Sequence, residues 1–144
     1  MNLIVAVDFD GTIVEHRYPN IGDPIPGALE WLRHFESEGI RLILWTMRSG
    51  DTLDAAVKYL KTFGVSLWGV NKNPEQSSWT ASPKAYAPIY VDDAALGCPL
   101  LPRDDGERAA VDWSKVGPWV CDLLGVDEPD AEPAPRADSG GDGR

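Results

Sequence analysis

Cysteine is scarce in this 144-residue chain, basic residues are outnumbered, and long apolar runs are missing. Each lack removes a class of protein. Cys98 and Cys121 are too few and too far apart for a disulfide framework or a zinc site, so a reducing cytoplasm is the expected compartment. No apolar stretch approaches the ~18 residues of a membrane span, and no membrane partner is expected. Lys and Arg number 13 against 23 Asp and Glu, a formal net charge of −10. That balance argues against a general nucleic-acid-binding surface, because such a surface neutralises phosphates with cations. Stable nucleic-acid binding is therefore not expected. The opening run Met1-Asn2-Leu3-Ile4-Val5-Ala6-Val7 has no early basic residues and reads as a buried strand, not as a secretory leader. No internal repeat occurs.

What is present suits one soluble domain. Hydrophobic residues make up 43% of the chain, and its length can bury a core able to fold alone. Residues 3–9 are apolar until the acids arrive, as in a central parallel strand buried on both faces. Ala28, Trp31, Leu32 and Phe35 keep a helical period, and Gly39 stops it. Residues 40–45 form a second apolar strand. Leu53, Ala56, Val57, Leu60 and Phe63 make a second helix, stopped by Gly64. Residues 65–70 and 88–91 predict two more strands, 102–111 a loop, and Asp112 or Ser114 caps a last helix through Leu124. Alternating strands and helices predict a single Rossmann-like, three-layer α/β/α domain over residues 1–126, with a central parallel sheet covered on both faces. Residues 127–144, acidic and rich in Pro and Gly, predict a disordered tail.

In parallel sheets of this kind, ligands bind beyond the carboxyl ends of the strands. The polar residues of this chain gather there. In Asp8-Phe9-Asp10-Gly11-Thr12 the alternation of a strand lets both acids face one site, while Gly11 permits a sharp turn with N–H groups available to a phosphate. Two carboxylates so close repel unless a cation intervenes, and magnesium suits oxygen ligands. A lone Asp-x-Asp-Gly equally suits an Asx turn with solvated acids. Thr46 ends the second strand and can bond a phosphoryl oxygen or simply open the next helix. Arg48 can fork onto a substrate phosphate or decorate the surface. Gly11, Thr12, Met47 and Arg48 are the candidate substrate contacts. Lys84, eight residues before Asp92, can offset negative charge at the site or stand as a solvated loop residue. Asp92 and Asp93 close an apolar strand, a costly ending unless they find a metal or hydrogen bonds.

The order Asp-x-Asp-Gly-Thr, Thr, Lys, Asp-Asp resembles that of the haloacid dehalogenase superfamily of phosphohydrolases, from residue 3 to about residue 100. The resemblance implies a magnesium-dependent phosphatase. Asp8 would be the nucleophile, forming an aspartyl-phosphate. Asp10 would serve as general acid and base with its backbone carbonyl on the magnesium. Thr46 and Lys84 would steady the phosphoryl group, and the metal set would be Asp8, Asp10, Asp92 and Asp93. The second acid, Asp10, points to phosphoryl transfer over dehalogenation. The 35 residues between Asp10 and Thr46 and the 37 between Thr46 and Lys84 leave no room for a cap domain, so an open site is expected. The substrate implied is phosphorylated, nucleotide or macromolecular. Phosphotransfer to an acceptor other than water stays open. A receiver-type signalling module is disfavoured, because its acidic pair precedes its phosphorylated Asp. The loops around the site hold Arg17, Tyr18, Asn71, Lys72, Asn73 and Trp79 as specificity candidates, with Trp79 read more readily as a pin onto the core. His16 has no partner pattern, and His34 reads as helix surface. Trp31, Trp45, Trp113 and Trp119 are assigned to the core.

Overall fold

The computed structural model describes residues 2–103 and 105–131. Four strands form one parallel sheet: β1 (Ile4–Val7), β2 (Arg41–Leu44), β3 (Gly69–Val70) and β4 (Ile89–Val91), in the order β3-β2-β1-β4. Side chains on a strand alternate between faces, and the sheet separates accordingly. Val5, Val7, Leu42, Leu44 and Val91 join one core cluster, while Ile4, Ala6 and Ile43 join the other.

Three helices cover the first face: α1 (Ala28–Ser37), α2 (Gly50–Thr62) and α3 (Trp113–Leu124). Each places an apolar stripe inward, through Leu32 and Phe35, Ala56 and Leu60, and Val116 and Val120. The topology explains why they share a face. From β1 to β2 to β3 the chain steps one way, so right-handed crossovers stay on one side; β4 lies across β1, and its crossover belongs on the other. That last connection carries only a 3-10 turn, Gln76–Ser78, and covers the second face with Ala85 and Ala87 beside Trp45 and Trp68. The fold is α/β and Rossmann-like, with a loop as its third layer and no separate cap domain among the described residues.

Boundaries differ from the expectation in two places. The third strand is two residues long, because Val65 bonds back to Leu60 and closes α2 before the sheet begins. The segment expected as a loop over 102–111 ends in β6 (Ala110–Val111), which pairs antiparallel with β5 (Leu100–Leu101). The last helix starts as expected, with Asp112 accepting from the Ser114 N–H. Trp113 is buried and Trp31 and Trp45 pack partly into the core, but Trp119, on α3, is half exposed. No helix among the described residues is long and apolar enough to cross a membrane. The expected disordered tail lies, from residue 132 on, outside the described residues.

Candidate active site

The sheet brings Asp8, Asp10, Thr46, Asp92 and Asp93 to one edge, at the ends of β1, β2 and β4. They line a cleft of about 450 Å³ with His16, Tyr18, Met47, Arg48, Ala94 and Arg108. The cleft sits where the strand order reverses, between β2 and β4 across β1. A second groove, of about 280 Å³ between β4 and α3, is lined mainly by apolar side chains, with Cys98 and Tyr90 among them.

Asp8 is held by its neighbours. Thr12, fully buried, donates its hydroxyl to Asp8 Oδ2 at 3.0 Å and accepts the Asp93 N–H at 3.1 Å. Thr12 therefore positions Asp8 and does not face a substrate. Burial, then the charge of Asp92, pushes the Asp8 carboxyl up to about 8; the Thr12 hydrogen bond only partly opposes them. Burial raises Asp92 as well. Single oxygens of Asp8, Asp92 and Asp93 lie within 4.8 Å of one another. Three crowded carboxylates, two of them held above their ordinary range, make an oxygen-only donor set that fits a hard divalent cation.

Asp10 is turned elsewhere. Arg48 donates Nε–H to Asp10 Oδ2 and an Nη2–H to Oδ1, both at 2.8 Å. The remaining guanidinium donors go to the carbonyls of Pro19, Asn20 and Thr52. The guanidinium, expected as a substrate fork or a surface group, is buried and spent inside the protein. The Asp10 carboxylate stands outside the metal-capable trio for the same reason.

Gly11 is also committed: its N–H donates to Val14 O, so it is not an anion donor. Its own need is steric, since φ is +83° and a Cβ would lie 2.1 Å from His16 Nε2. His16, without a partner pattern in the sequence, has Nε2 at 3.0 Å from Asp93 Oδ2. Thr46 keeps its hydroxyl proton available, while its N–H donates to Asn71 Oδ1 and its Oγ accepts from the Arg48 N–H. Asn71, at φ +51°, thus sets the Thr46 backbone. Met47 projects almost entirely into solvent at the cleft mouth.

Lys84 does not line the cleft. Its Nζ lies 5.4 Å from the Tyr90 ring centroid, on the loop over the second face. Trp79 packs edge-on against Tyr86, also away from the site, and Arg17 pairs with Glu107. The lining cation without an acidic partner among the described residues is Arg108, brought in by the β5–β6 connection. A loop that returns from ninety-odd residues away leaves no local signal for Arg108.

No protein-family model and no curated protein matches the chain. A solved structure does: a conserved protein from Bacteroides thetaiotaomicron, 37% identical, with a TM-score of 0.69, covering 83% of this chain and 90% of that one. At that identity and coverage the likeness extends beyond fold, and the chain belongs to the same family as this conserved Bacteroides thetaiotaomicron protein.

Proposed function

We propose that the chain is a magnesium-dependent phosphatase of the haloacid dehalogenase type, acting on a phosphate monoester in an open cleft. The observation that carries this reading is the half-buried Asp8 carboxylate, fixed by Thr12 within metal-sharing reach of Asp92 and Asp93 at the switch point of the sheet. Magnesium held by these three acids would offset the charge that nucleophile and phosphate bring together.

In the first step an Asp8 oxygen bonds to phosphorus as the ester P–O bond breaks, and the departing alkoxide takes a proton from Asp10. In the second, water attacks phosphorus, Asp10 takes its proton, and the Asp8–phosphorus bond breaks to release phosphate. For Asp10 to carry that proton, one of its oxygens gives up its Arg48 hydrogen bond. The Thr46 hydroxyl donates to a phosphoryl oxygen. Arg108 supplies the side-chain cation that Lys84, on the far loop, does not. Two free cysteines, Cys98 and Cys121, accord with a reducing cytoplasm.

The test is turnover of para-nitrophenyl phosphate and a panel of phosphate esters with and without magnesium. Activity should need the metal and fall at least about a thousandfold in Asp8→Asn, the scale of losing an activated nucleophile. Full magnesium-dependent activity in that variant would remove Asp8 from the mechanism.

A further inference from the structure

The rim of the cleft is unlike its floor. The floor is acidic and hydrogen-bonded, as a metal and a phosphoryl group require. At the rim, Tyr18 is 64% exposed and Met47 97% exposed, both lining the same cleft. Neither residue serves the chemistry just described through its side chain. Two such side chains exposed at the mouth of one polar cleft offer a ligand held there a surface to cover.

The Tyr18 ring is held ready. Arg48 Cζ lies 5.2 Å from its centroid, and the same guanidinium binds the carbonyls of the next two residues, Pro19 and Asn20. Arg48 is itself buried and anchored on Asp10. The aromatic rim is therefore tied to the catalytic floor through one residue and needs little ordering when a ligand arrives. Met47 follows Thr46 directly, and its unbranched thioether adapts to an aromatic surface. The volume of about 450 Å³ falls within the ~300–1,000 Å³ of small-ligand sites and leaves room beyond a phosphate.

Building on the phosphatase reading, we infer that the alcohol part of the substrate carries a planar aromatic ring, as in a nucleoside monophosphate, received between Tyr18 and Met47. Tyrosine stacks on the ring face and methionine contacts it through sulfur and methyl. Stacking of this kind accepts any base, so the inference is of a ring and not of a particular base.

Adenosine 5′-phosphate and ribose 5-phosphate share the scissile bond and differ by the ring. With magnesium present, the wild-type kcat/KM should favour the adenosine ester by about tenfold or more, mainly through KM. Tyr18→Ala and Met47→Ala should each lower that preference several-fold, and Tyr18→Phe should keep it. Equal handling of the two ribose esters, or turnover of neither beside turnover of para-nitrophenyl phosphate, overturns the inference and leaves the phosphatase reading standing. A preference untouched by Tyr18→Ala overturns it as well. A chain inert toward all three esters overturns the reading on which it rests.

Discussion

Arg48 has all five guanidinium N–H groups engaged within the protein, and two aromatic rings, Phe9 and Tyr18, lie about its charged end. A lysine there keeps the charge but cannot reproduce the fork or reach three carbonyls on two separate segments. Arg48→Lys should therefore destabilise the chain by about 2 kcal/mol in urea denaturation, the cost of stranding buried acceptors. It should also lower activity, because Asp10 loses its orientation; unchanged stability would mean that water replaces the fork without loss. None of this was legible in Trp45-Thr46-Met47-Arg48-Ser49. Apart from Thr52, the partners of Arg48 lie 28, 29 and 38 residues upstream, and a polar fork looks the same in sequence whether it binds a phosphate or a chain turn. Asp8, Asp92 and Asp93 were legible, because strand ends deliver their acids to one edge by topology alone.

At the level of elements, α3 meets α1 at a point where only glycine fits. A Cβ on Gly117 would lie 2.2 Å from ring atoms of Trp31, so the helices approach closely around that indole. Gly117→Ala should cost about 1–3 kcal/mol by overpacking, offset in part by the roughly 1 kcal/mol that better helix propensity returns, for a net loss of up to about 2 kcal/mol. Urea denaturation measures it, and a neutral or stabilising result would show that Trp31 yields freely. The helix itself was legible from its cap, read as Asp112 or Ser114, in spite of the internal Gly117-Pro118 pair. The β5–β6 hairpin was not, since each strand is two residues and Leu100-Leu101 reads as ordinary loop. The second face was legible only in part: the connection after the third strand was read as a loop, and it is one, with a 3-10 turn and buried alanines standing where a three-layer α/β/α domain calls for a helix. Lys84 belongs to that segment, and its expected place in the site depended on how the segment crosses.

The whole molecule carries a linkage between folding, pH and metal. Asp8 is raised from 3.8 to about 8 in the metal-free fold, so between those values the folded chain holds more protons than the unfolded chain. Stability rises with pH only where the unfolded state binds more protons, so this group's contribution is full below 3.8 and is lost as pH climbs toward 8. Asp92, also raised, acts with the same sign. In chelator, Asp8→Asn should thus gain on the wild type between pH 5 and pH 8, by at least about 3 °C in Tm. Magnesium should narrow the gap by stabilising the ionised wild-type site; a gap independent of pH would mean that Asp8 is not strained by burial.

The central claim is that Asp8 itself takes the phosphoryl group, and acid quenching during turnover tests it most directly. Mass analysis of the quenched wild type should find one phosphoryl group on the peptide carrying Asp8, and none there in Asp8→Asn. A phosphoryl group on another residue, or steady magnesium-dependent turnover with none on the Asp8 peptide, would contradict the account.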